Sequence, residues 1–208
     1  MARRRARLVR YWDDEAARYE TATASVERRY LVDSRRWVGQ RAAGSTLELA
    51  VGTGLNLPYY PVSVSLTGVD WSPLMVQAAE RRARGLPRPI ALTTADAMAL
   101  PFADDQFDTV VCTFALCCIP DERAALAEAI RVLRPGGSLL LADHVVATNL
   151  ALRALEHLVE LVTIPLQGEH YTRRPLKTVR ALGLTIVDTE RLTHGAIERV
   201  HARKPAAG

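Results

Sequence analysis

The chain predicts an α/β fold, with a largely parallel β-sheet covered by helices on both faces. Three observations lead there. Short apolar strand patterns alternate with helical stretches from residue 46 onward, and such alternation gives crossover connections and a buried sheet. The chain has 208 residues, 49% hydrophobic and 24% charged, which suits one domain, 1–208, with an ample core. The two closing strand patterns are joined near His194-Gly195 like a hairpin, so one of them must run antiparallel to the rest.

Residues 5–43 show helical spacing, with Leu8, Tyr11, Trp12 and Ala16 three or four residues apart. A break near residues 21–25 divides this stretch into two helices. Residues 46–51 read as the first strand and 66–70 as the second, which ends in Asp70. Ser72-Pro73 opens a helix, because Ser caps it and Pro fits the first turn. That helix runs to Arg84 and stops at Gly85. Residues 90–94 form a third strand, and 107–118 a long apolar β-rich run. Asp121 caps a helix that Pro135 and Gly136 of "RPGG" terminate. Residues 138–142 are the next strand, 149–166 an apolar helix, and 167–175 a polar loop. Residues 185–191 and 197–202 are the closing strands.

Composition excludes several classes. No apolar run reaches the ~18 residues of a membrane span. The start "MARRRARLVRYW" is basic without an apolar region behind it, unlike a secretory signal. Cys112, Cys117 and Cys118 share one apolar segment and lack disulfide or zinc spacing. They read as reduced thiols of a cytoplasmic protein, with no metal site. Net charge is +4, but no basic stripe with interleaved aromatics appears, so no nucleic-acid partner is expected. The "RRRAR" start could attract anionic lipid as a peripheral contact; a solvated tail is the plainer reading.

Chemistry concentrates at the carboxyl ends of the strands, where open α/β sheets bind ligands. In "LELAVGTGLNLPYY", residues 47–60, Gly52 and Gly54 follow the first strand directly. Glycine there turns the chain sharply and lets a ligand approach the backbone. Asp70, at the end of the second strand, can accept hydrogen bonds from a ribose diol. A nucleoside-bearing cofactor follows. The third glycine of a dinucleotide fingerprint is missing, which disfavours a nicotinamide enzyme.

The segments "LELAVGTGLNLPYY", "LTGVDWSPLMVQAAERRA", "ADAMALPFADDQFDTVVCTFALCCIPD" and "ALAEAIRVLRPGGSLLLADH" occur in this order. They resemble the successive motifs of class I S-adenosylmethionine-dependent methyltransferases, in the branch around the ubiquinone and menaquinone C-methyltransferases. The resemblance implies a Rossmann-like seven-stranded sheet of order 3-2-1-4-5-7-6 with strand 7 antiparallel. It implies S-adenosyl-L-methionine as cofactor and S-adenosyl-L-homocysteine as product. Residues 44–146 would form the cofactor-binding half. Within it, Glu48 would orient the glycine loop, and Gly52 and Gly54 would lie under the methionyl-ribose part. Asp70 would bind the ribose hydroxyls, and Trp71 would flank the adenine. Asp96 would accept from the adenine amino group beside Ala97 and Met98. Cys112 and Thr113 would lie under the sulfonium, with Asn56 and Met75 also against the cofactor. Ala50 stands where the family most often has Gly, and is expected to keep φ below zero and narrow the loop.

"YWDDEAARYE" resembles a segment that folds over the cofactor in quinone and phospholipid methyltransferases. Residues 1–43 would then cap the cofactor, with Tyr11 and Tyr19 against it and Tyr19 near the methionyl carboxylate. Residues 147–208 would supply the acceptor side. His144 is the candidate general base, with Phe114, His170 and Tyr171 as further acceptor-site candidates. "VVCTFALCCIPDERAALAEAIRVLRPGGSLLLADHV" followed by "HYTRRP" is similar to the human alkyl thiol methyltransferases, which would make the acceptor a small lipophilic thiol. "VGTGLNLPYYP" and "VDWSPLM" are similar to bacterial phosphatidylethanolamine N-methyltransferases. A quinone C-methyltransferase and a non-catalytic cofactor-binding protein stay open, as does a monomer or a homodimer.

Overall fold

The computed structural model describes residues 2–206. Seven strands form one sheet: β1 (Ser45–Leu49), β2 (Ser65–Asp70), β3 (Ile90–Thr94), β4 (Phe107–Thr113), β5 (Leu133–His144), β6 (Thr185–Leu192) and β7 (Ile197–Arg203). Their order is β3-β2-β1-β4-β5-β7-β6. The first five pair in parallel, and β7 runs antiparallel to both β5 and β6. Seven α-helices accompany them: α1 (Ala2–Glu15), α2 (Tyr19–Val26), α3 (Val32–Arg41), α4 (Pro73–Ala83), α5 (Glu122–Val132), α6 (Leu150–Gln167) and α7 (Pro175–Ala181).

The central strand β4 is buried along nearly its whole length, as expected where helices cover both faces. Phe107 opens it at 2% exposure and meets Phe102 edge-on, ring centroids 5.1 Å apart. The helices start where local chemistry dictates. Ser72 Oγ accepts from Met75 N, Asp121 Oδ1 from Ala124 N, and Asn149 Oδ1 from Leu152 N. Each cap satisfies an otherwise orphaned amide and contributes about 1 kcal/mol.

Four expectations are corrected. The break in the amino-terminal helices lies at residues 16–18, and a π-helical turn, Glu27–Leu31, separates α2 from α3. The run 107–118 is strand only to Thr113, because Phe114 takes φ +52° and turns the chain. The helix capped by Asp121 ends at Val132, and "RPGG" lies within β5, with Gly136 at φ +76°. Helix α7 has no counterpart in the sequence pattern; its seven residues, about two turns, are too few to show a period.

Candidate active site

The glycine loop, the ends of β2 and β4, and the amino-terminal helices enclose one cleft of about 630 Å³, counting its open mouth. Gly52, Asp70, Trp71, Met75 and Thr113 line it, together with Ala50, Phe114, Trp12 and Tyr19. A second cavity of about 290 Å³ continues it, sharing Ala50, Asp70 and Trp71 and adding Asp96 and Ala97. Sites of this size suit a cofactor of nucleoside dimensions.

The loop is built to keep its floor open. Gly52 has φ +56°, and a Cβ placed there would meet no atom within 4 Å. Gly54, at φ +81°, packs instead against Leu57 and Ala79 and does not reach the cleft. Ala50 takes φ +51°, contrary to the expectation of a negative φ. The left-handed conformation that glycine adopts freely is held here by an alanine, at a cost of about 1–2 kcal/mol for an L-residue. Phe114, at φ +52°, is the other strained residue on this wall, in line with the tendency of strain to gather at functional sites.

Asp70 is held in place by backbone amides. Its Oδ2 accepts from Gly52 N and its Oδ1 from Ser72 N, both at 2.9 Å. Each oxygen retains a lone pair, so a diol can still be bound. Burial pushes its pKa up to about 6 against the pull of these amides. Asp96 accepts from Met98 N and pairs with Arg5 of α1 at 2.9 Å. Met98 itself packs on the core and does not line either cavity.

Beneath the loop lies a buried polar network. Glu48 accepts from Asn56 Nδ2 at 2.7 Å and from Tyr60 Oη at 2.9 Å, and burial raises its pKa to about 7. Asn56 Nδ2 also reaches Thr113 Oγ1. Glu48, Asn56 and Cys112 are all fully enclosed and touch no open space of the cleft; they shape the loop from below.

Sequence reasoning missed Arg35. It is 6% exposed, bidentate to Glu27, and donates from Nη1 to Asn56 Oδ1 at 3.0 Å. It stacks 5.1 Å from the Phe114 ring centroid and is the cation on the cleft wall. It sits among many arginines of α1–α3, and only burial singles it out. Trp12 was read as a helix-face residue, yet it lines the cleft, whereas Tyr11 donates to Gln167 Oε1 at 2.5 Å and lies outside it. Tyr19 lines the cleft edge-on to Trp12, and burial raises its phenol pKa.

His144 does not face the cleft as expected. Its ring packs 5.2 Å from Phe114, which lines the cleft, and 5.7 Å from Tyr171. Burial, with the Arg35 charge adding, lowers its pKa to about 4. His170 donates its backbone amide to Cys117 O and lies outside the cleft lining. The loop carrying both His170 and Tyr171 is pinned by Arg173, whose guanidinium donates to Leu116, Ile119 and Pro120 carbonyls. Sequence spacing showed no metal cluster, but folding brings ligand atoms of Cys117, Asp143 and His144 within 4.8 Å. Asp143 there already accepts from the amides of Ala115, Cys117 and His144, which explains its burial as a brace.

Residues 47–141 match the family model of the methyltransferase domain. The chain is 37% identical to a phosphatidylethanolamine N-methyltransferase of Cereibacter sphaeroides, over 54% of this chain and 57% of that protein. It is 33% identical to a human thiol S-methyltransferase, over 62% of this chain and 54% of that one. The chain thus spans little more than half the length of these curated relatives. A Thermotoga maritima structure named as an S-adenosylmethionine-dependent methyltransferase, possible histamine N-methyltransferase, superposes with TM-score 0.72 at 20% identity, covering 94% of this chain and 99% of that one. In its motifs and its sheet order together, the chain is similar to the class I S-adenosylmethionine-dependent methyltransferases.

Proposed function

We propose that the protein transfers the methyl group of S-adenosylmethionine to a small lipophilic thiol. The cleft suits the cofactor: the open space above Gly52 takes the backbone-hugging methionyl-ribose part, Asp70 the ribose diol, and Asp96 with Ala97 the adenine edge. Arg35, the cationic group on the cleft wall, binds the methionyl carboxylate, and Tyr19 assists it. The cofactor supplies an activated methyl on a sulfonium; the protein aligns the acceptor and keeps water out.

The observation that carries the acceptor class is the wall around Phe114. It consists of Phe114, Ala115, Cys118 and Ile119, apolar enough for a lipophilic body. His144 stands behind it with a pKa near 4, too weakly basic to deprotonate a ring carbon or an ammonium at neutral pH. A thiol asks least of the protein, because with a pKa of about 8.5 it is already partly thiolate near pH 8. Arg35 beside Phe114 favours that anion.

The test is a methyl-transfer assay over alkyl thiols, phosphatidylethanolamine and a demethylated quinol, with titration calorimetry of the cofactor alongside. S-methyl product from the thiols, with no N- or C-methyl product, supports the reading. Turnover of the amine or the quinol alone overturns the acceptor class. Cofactor binding with no turnover of any class points to a cofactor-binding protein without catalysis.

A further inference from the structure

Helix α6 is turned inside out. Its two acids, Glu156 and Glu160, face the protein at 7% and 8% exposure. Glu156 accepts from Ala147 N, and Glu160 from Thr172 N and Oγ1. Its leucines and valines face outward instead. Leu150 is 78% exposed, Leu158 62%, Leu161 71%, Val162 57% and Leu166 59%. The charged or titratable side chains left on this outer face are Arg153 and His157, one turn apart. A helix in water ordinarily places its acids outside and its leucines inside, and contiguous exposed apolar surface of this kind marks an interaction site.

Helix α1 packs beside the carboxyl end of α6. Leu8 abuts Gly168, and Tyr11 bonds Gln167. Its cleft-side face carries Arg5, paired with Asp96, and Trp12. On the other flank Arg3, Arg7 and Arg10 recur at helical spacing, and all three are exposed. Apolar α6 and basic α1 therefore form one surface, from which the acids of α6 have been withdrawn into the protein.

We propose that this surface docks on an anionic phospholipid bilayer, with the outer face of α6 at the acyl boundary and the α1 arginines among the phosphates. The chemistry matches an interfacial amphipathic helix with a basic flank. No helix among the described residues is long and apolar enough to cross a membrane, so the contact lies in the plane of the bilayer surface. A second copy of the chain fits less well, since the outer face of its α6 would bring no acid to meet the α1 arginines. Helix α1 also borders the cleft, through Trp12. A lipophilic acceptor dissolved in the bilayer would thus reach the cleft directly; this route, unlike the docking, rests on the acceptor proposed above.

The experiment is co-sedimentation of the full chain with vesicles of phosphatidylcholine alone or with one quarter phosphatidylglycerol, at low and high salt. Analytical ultracentrifugation without lipid runs alongside. Binding to the anionic vesicles, weakened by salt and by neutral lipid, is expected. Leu158→Glu/Leu161→Glu should abolish it, and Arg7→Glu/Arg10→Glu should weaken it by about tenfold or more. Far-UV circular dichroism and cofactor titration, both unchanged, confirm that the variants fold. No vesicle binding by the parent chain, or binding indifferent to both double variants, overturns the proposal. So does a dimer without lipid that the leucine variant dissociates, which would assign the face to a second copy. Cofactor affinity and methyl transfer are read separately, so failure of the docking and failure of the thiol reading are distinguishable.

Discussion

Arg35 Nη1 donates to Asn56 Oδ1 at 3.0 Å, and this bond ties helix α3 to the glycine loop between β1 and β2. The same guanidinium holds Glu27 with two further bonds. A group of the amino-terminal helices thereby fixes the floor of the cleft. Removing one partner of such a buried pair costs about 3–5 kcal/mol, because the other charge stays buried and uncompensated. Arg35→Leu is expected to lower the melting temperature sharply and to weaken cofactor binding by at least about tenfold. Differential scanning calorimetry and titration calorimetry measure the two effects. Arg35→Lys should recover stability in part, since one ammonium cannot reproduce the bidentate grip.

In the proposed binding mode, Asp70 is expected to set a pH limit on cofactor affinity. Its carboxyl is pushed up to about 6 by burial, and only the ionised form accepts from both ribose hydroxyls. Affinity for S-adenosylmethionine should therefore fall as pH drops through about 6 and plateau above it. Asp70→Asn should bind at least about tenfold more weakly and lose that pH dependence. Titration calorimetry from pH 5 to 8 separates the outcomes; an unchanged slope in the variant would remove Asp70 from the diol.

Glu48 has the opposite bearing on stability. Its folded pKa of about 7 lies above the ordinary value of 4.5, so the native state holds its proton more tightly than the unfolded chain. The stabilisation is full below about 4.5 and is lost as pH rises toward 7. His144, lowered from 6.5 to about 4, works the other way and gains stability over that interval. Glu48→Gln isolates the first effect. Relative to the variant, the parent should lose melting temperature between pH 4.5 and 7, read in a series of thermal melts.

Ala50 carries a left-handed backbone that a glycine would accept freely. Ala50→Gly should stabilise the protein by roughly 0.5–1 kcal/mol. For a domain of this size that is a rise of about 2–4 °C or less in melting temperature. A fall in melting temperature would mean the Ala50 methyl packs more favourably than its strain costs.

His144 should be dispensable as a base. With a pKa near 4 and Phe114 between it and the cleft, His144→Asn is expected to leave kcat within about threefold and the pH–rate profile between 6 and 8 unmoved. Phe114→Ala should instead raise KM for a lipophilic acceptor. A kcat loss of a hundredfold in His144→Asn, with a shifted pH profile, would restore the base role.

Much of this was legible in the chain because the signals were local. Strand β3 and the caps at Ser72 and Asp121 depend on a few adjacent residues, and they fell where spacing placed them. Gly52 and Asp70 line the cleft by virtue of lying at strand ends, which the alternation alone locates. What stayed hidden depends on burial across long separations. Nothing near Arg35 in sequence distinguishes it from Arg36, yet one is buried against Asn56 and the other pairs with exposed Asp33. His144 looked exposed to the cleft because strand ends usually are. Phe114, turning at positive φ, intervenes. The outward leucines of α6 also could not be foreseen. An apolar helix reads as core until the fold shows that its acids, not its leucines, point inward.

The position of β7 governs the order in which the molecule can be completed. The last strand among the described residues lies between β5 and β6 and is the sole neighbour of β6 in the sheet. While the chain is leaving the ribosome, the five parallel strands can assemble among themselves, but β6 emerges before its native neighbour β7. Until Ile197–Arg203 follows, β5 presents an open row of amides and carbonyls, a ready template for another chain. The hairpin must then insert as a unit, zippering onto β5 in one late step. Translation that stops short of that strand would therefore release a sticky intermediate with most of its core already formed.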